Sequence, residues 1–161
     1  MNRSAVNFDN ELERESKEKL RMFWEIVSRY REACKQVDEI MKNGGREATL
    51  AKATCVSIQN EYLKFTDKFM PADRVVFYMA GYKEYYNMRT KRMAQNENLS
   101  CEDQEVLGKG LSAISLAQIS LYPYEVEICK GEVEKICGEN KGMMLMPKSN
   151  RQMPEPENEL S

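Results

Sequence analysis

Apolar residues at Leu20, Phe23, Val27, Tyr30, Cys34, Val37 and Met41 follow one another in steps of three and four, which draws one stripe along a helix. Charge holds the opposite face. Glu13 with Lys17, Glu15 with Lys19, Glu25 with Arg29 and Asp38 with Lys42 are acid-before-base pairs four residues apart, each worth a few tenths of a kcal/mol on an exposed helix. With the charged run from Asp9 added, the pattern predicts a first helix over about 8–43, roughly 55 Å long. Its heptads stop at three, too few for a sustained coiled coil, so the stripe reads as a bundle seam. Asn43-Gly44-Gly45 ends it, because glycine takes the left-handed conformation there without steric cost, and so short a link predicts an antiparallel neighbour.

That neighbour, over about 47–69, carries Ala51, Cys55, Ile58, Tyr62, Phe65 and Phe69 as its stripe. Pro71 suits the first position of a third helix, reaching about 95, since its missing N–H would be unsatisfied there anyway. Val75, Met79, Tyr82, Tyr86 and Met93 form the third seam, with Arg89 where an apolar residue would continue it and Gly81 thinning the contact. Ser100 is the expected N-cap of a fourth helix, with Asp103 near the capping-box position. Residues 111–124 hold no charge, which predicts burial nearly all round. Pro123 is expected to break or kink that run. Val126, Cys129, Val133 and Ile136 then outline a short fifth helix ended by Gly138. Three of five prolines and an acidic end follow, predicting a disordered tail over 139–161 whose one apolar island is Met143-Met144-Leu145-Met146. The expected fold is an all-α antiparallel bundle of five helices, one domain over 1–138, with the N-terminal helix much the longest.

Composition narrows the chemistry more than the fold. In 161 residues, 24 basic against 26 acidic side chains leave a net charge of −2, which argues neither for nor against nucleic acid. The longest nearly apolar run, 75–82, is far below the ~18 residues of a membrane-spanning helix. Residues 1–6 lack the apolar core of a secretory signal, so the expected compartment is the cytoplasm if Met1 is the native start and the periplasm if a signal peptide has been removed. Five cysteines without a C-x-x-C pair suit a reducing compartment and buried thiols.

Histidine is absent, which removes the commonest general base and the commonest transition-metal ligand. No serine or cysteine sits in a nucleophile elbow. Gly108-Lys109-Gly110-Leu111-Ser112 lacks the spacing of a phosphate loop, and Cys129 with Cys137 lacks the further ligands that structural zinc requires. No enzyme, cofactor or metal site is expected.

The third helix offers the sharpest candidate surface. Tyr78, Tyr82, Tyr85, Arg89 and Arg92 recur at steps of four, three, four and three, and tyrosine stacking beside arginine is how single-stranded nucleic acids or acidic partners are held.

Phe23-Trp24 followed by Tyr30, then Glu61-Tyr62-Leu63-Lys64-Phe65, the proline turn at Pro71, and Tyr85 through Arg89 to Arg92 resemble the small helical proteins of the Spy/CpxP-like class. The resemblance covers about residues 20–93. It implies a bacterial periplasmic chaperone or stress sensor acting by protein contact. Taken together, the expected function is that of a small helical adaptor, chaperone-like or regulatory protein with a protein partner, and self-association as a homodimer is expected where Phe8 and Leu12 project beyond the shorter helices. The alternative is a nucleic-acid-binding accessory protein using the third helix.

Overall fold

Glycine and proline punctuate the chain where the sequence places them. A computed structural model describes residues 3–45 and 48–151, with side chains described from Arg14 onward. It contains α1 (Arg3–Lys42), α2 (Ala48–Asp67), α3 (Pro71–Ala94), α4 (Cys101–Gln118) and α5 (Pro123–Cys137), then a 3-10 turn over Lys141–Met143. Among the described residues there is no strand, and no helix is long and apolar enough to cross a membrane. Gly44 and Gly45, at φ +107° and +76°, close α1. Ser100 caps α4 by accepting from the Asp103 N–H at 3.1 Å. Pro123 does not kink the fourth helix, which has already ended at Gln118; it takes the first position of α5. Phe8 and Leu12, expected to stand uncovered, lie outside the described side chains.

The structure divides into two compact units, Met1–Ile58 and Gln59–Ser161, with the boundary inside α2. In the first, Phe23, Val27 and Tyr30 are buried along the expected stripe of α1. On its outer face Arg21 pairs with Glu18 and with Glu25, the latter at 2.7 Å. These exposed pairs add little stability.

In the second unit α3 is the centre. A Cβ on Gly81 would stand 2.7 Å from the Ala113 Cβ, and one on Gly110 would stand 2.9 Å from the Tyr85 backbone nitrogen. Both glycines therefore let α3 and α4 cross at near backbone contact. Gly110, part of the faint phosphate-loop pattern, serves packing. Ala113, Ile114, Leu116 and Ala117 are buried in α4 as its missing charge predicts, although Leu111 keeps an exposed edge. Phe65 stacks on Phe77 at 5.7 Å between centroids, and Phe69 meets both edge-on.

Buried in the same unit is an ion pair that periodicity does not reveal. Arg74 Nη2 lies 2.6 Å from Glu125 Oε2, and its Nε donates to both carboxylate oxygens at 2.9 and 3.1 Å. Arg74 Nη1 also donates to the carbonyls of Thr66 and Phe69, at 3.2 and 3.0 Å, at the end of α2. Glu125 Oε1 accepts the Tyr122 N–H at 2.9 Å, closing the start of α5. Burial works against the Arg74 charge, but Glu125 outweighs it and holds the guanidinium pKa above its usual value.

The disorder expected over 139–161 is not found in the first part of that stretch. Residues 139–151 lie ordered on the bundle: Lys148 N–H donates to Gln118 Oε1 at 2.8 Å, Ser149 Oγ donates to the Leu121 carbonyl at 2.9 Å, and Arg151 pairs with Asp67 at 2.7 Å. The apolar island anchors the segment, with Met143 and Pro147 buried. Polar composition hides this because the anchoring groups are few and their partners lie far back in the chain. Residues 152–161 lie outside the described part.

Removing one member of a buried, hydrogen-bonded pair leaves the other charge unsatisfied, at a cost of about 3–5 kcal/mol. Arg74→Met is therefore expected to lower unfolding stability by that amount in urea titration, and Arg74→Met with Glu125→Leu by less than the sum of the two single changes. Additive losses would show that the pair is not coupled.

Candidate functional site

Two places carry chemistry, one on α3 and one in the α1–α2 hairpin. On α3 the five residues of the Tyr/Arg pattern do not share an open face. Tyr78 and Tyr82 are fully buried. Tyr78 donates its hydroxyl to the Leu145 carbonyl at 3.2 Å, and Tyr82 donates to the Met143 carbonyl at 3.2 Å. The Tyr82 oxygen also hydrogen-bonds Cys137 Sγ. Since its one proton points at Met143, the thiol is the donor in that second bond. The two rings lie near parallel, 6.5 Å apart. The helical spacing is as expected, but the returning segment 143–145 covers this part of the face, leaving its tyrosines unavailable for stacking against a base.

The other three residues lie nearer the C-terminal end of α3. Tyr85, Arg89 and Arg92 are each half-buried. Arg92 reaches Glu97 at 3.5 Å, and the neighbouring Lys91 pairs with Asp103 at 2.6 Å, which holds the Asp103 carboxyl below its usual range. Arg89 makes no ion pair among the described residues, and its Nε is buried without a hydrogen-bond partner. It therefore does not reach an acid across the bundle.

The second place is an open cleft of about 370 Å³ in the first unit. Tyr30, Cys34, Val37 and Asp38 line it from α1, with Lys52, Cys55 and Val56 from α2. Its floor is apolar and carries two thiols, while Asp38 and Lys52 bring one charge of each sign. Burial, then the neighbouring Cys55, pushes the Cys34 thiol up to about 11, and a hydrogen bond from Tyr30 pulls the other way. Cys129, buried in the second unit, is pushed up to about 12. Among the described residues no group of three or more His, Cys, Asp or Glu side chains could hold a metal ion.

The seam pattern placed Cys34 and Cys55 on facing stripes without pairing them. The signal for pairing is their symmetry about the turn, Cys34 standing ten residues before Gly44 and Cys55 ten after Gly45. An antiparallel hairpin brings such positions level.

Burial raises the phenol pKa of Tyr62, Tyr78 and Tyr82 above the ordinary 10.0. The stability tied to these groups is fully present below pH 10 and is lost as pH rises through the higher folded values, because the unfolded chain gives up its phenol protons first. We expect phenolate absorbance from these three residues to appear late and together with loss of helical circular dichroism. Ionisation of all eight tyrosines near pH 10 with the helix signal intact would contradict this.

Compared with known proteins, the chain is matched by no family model, no curated protein and no solved structure.

Proposed function

We propose that this chain is a non-enzymatic helical binding protein, an adaptor, chaperone-like or regulatory factor, that acts through protein–protein contacts. The observation that carries this reading is the apolar surface of the α1–α2 hairpin. Leu50 is 77% exposed, Met41 53% and Val56 52%, and Val56 also lines the open cleft. Large apolar side chains left in water near an apolar recess are a common mark of a contact surface for another protein. A chaperone-like role, as in the Spy/CpxP-like class, uses such a surface for segments of unfolded chains. A second copy of this chain is another partner of the same chemistry.

The arrangement favours protein over nucleic acid. Burial of Tyr78 and Tyr82 removes two of the three rings a base would stack on, and Lys91 and Arg92 already face Asp103 and Glu97. What remains of the α3 face, Tyr85 and Arg89, is a small basis for phosphate contact.

Leu50→Asp with Val56→Asp tests the reading, since both side chains are exposed and the change is expected to leave the melting temperature within a few degrees. Partners recovered by the wild-type chain, and any suppression of aggregation of an unfolded test protein, should be lost in the double variant. Wild-type capture should persist in high salt, because apolar docking does not depend on counterion release. Sedimentation velocity of both chains reads self-association separately. Retained capture by the variant, or capture abolished by salt alone, would overturn the proposal.

A further inference from the structure

We propose that Cys34 and Cys55 form a reversible redox site, a dithiol that closes to an intramolecular disulfide across the α1–α2 hairpin. This goes beyond partner binding and does not rest on it. Three observations carry it. The two cysteines are equidistant from the Gly44–Gly45 turn, they stand on the two arms of one hairpin, α1 and α2, and both line one open cleft. Both are half-buried, which leaves a route for a small oxidant through the cleft mouth. The remaining cysteines lack this combination. Cys129 and Cys137 are buried, and Cys101 is exposed at the start of α4.

The exchange balances with a low-molecular-weight disulfide as oxidant. Cys55, as thiolate, attacks one sulfur of that disulfide, breaking its S–S bond and expelling one small thiolate, which takes up a proton. Cys34 then gives its proton to solvent and attacks the Cys55 sulfur of the mixed disulfide, expelling the second small thiol. Two protein thiols have lost two electrons, and one small disulfide has become two thiols. Cys34 suits the second step by its position, since it lines the same cleft as the Cys55 sulfur from the facing helix. The product ties α1 to α2 and constrains the unfolded chain, so the oxidised form should melt higher than the reduced one.

The test uses the full chain carrying Cys101→Ser, which removes the exposed thiol that would link two chains. The native protein is incubated with oxidised glutathione, blocked with N-ethylmaleimide, digested with trypsin and weighed. The expected product joins peptides 32–35 and 53–64, two hydrogen atoms lighter than their sum, and dithiothreitol separates them. Cys34→Ser should leave Cys55 carrying one glutathione, and Cys55→Ser should abolish the linked pair. The proposal is overturned if both cysteines remain free to react with maleimide, if each carries its own glutathione, or if they are linked only between chains.

Discussion

The second unit depends on the buried contact between Arg74 and Glu125. Taking both charges out of water costs several kcal/mol per ion unless each is fully hydrogen-bonded. Here the carboxylate meets the guanidinium through both oxygens and also receives the Tyr122 N–H, while Arg74 satisfies the Thr66 and Phe69 carbonyls at the end of α2. A helix end exposes carbonyls without internal partners, and an arginine from the next helix supplies them. One guanidinium thus fixes where α2 stops, how α3 leaves it and where α5 begins. The ring of Tyr122 extends the cluster, with Arg74 5.6 Å and Arg151 4.8 Å from its centroid. The C-terminal segment is therefore held by the same group of side chains that closes the turns.

A second constraint follows from the close crossing of α3 and α4. Gly81 and Gly110 allow the two backbones to approach, so one side of α3 is filled by α4 itself. Its other side presents tyrosines, whose hydroxyls need partners once water is removed. Segment 143–145 answers that need with carbonyl groups from an irregular stretch that has them to spare. Met143 fills the space beneath, as a flexible thioether suits an uneven surface. The returning strap thus completes the core, and Met143 is a core side chain despite its place beyond the last long helix.

Where helices start and stop was legible because the signals are local. Gly44, Gly45, Ser100, Pro71 and Gly138 each act within a turn of themselves, and the α1 stripe needs only its own spacing. The cover over Tyr78 and Tyr82 was not legible because α3 carries two overlapping apolar stripes, and periodicity cannot say which one a distant segment covers. The deciding bond, Tyr78 to Leu145, spans 67 residues. Arg74 and Glu125, 51 residues apart, were missed for the same reason, although an arginine at the head of the apolar run after Pro71 and a glutamate two residues after Pro123 were visible hints. The cleft was half legible: the stripes put both cysteines inward, and the symmetry of the turn pairs them.

The two units differ in how their thiols are disposed. In the second unit, buried polar groups are almost all satisfied, Cys129 is held protonated by burial, and Cys137 spends its thiol proton on Tyr82. Both thiols are buried, so access fails for each. In the first unit, two thiols share an open cleft, and Met22, Met41, Leu50 and Val56 of the hairpin face water. Packing as tight as that around Gly81 would close a recess of this kind. The hairpin keeps its two half-buried thiols beside an open cleft, while the second unit closes around its buried ion pair and C-terminal strap.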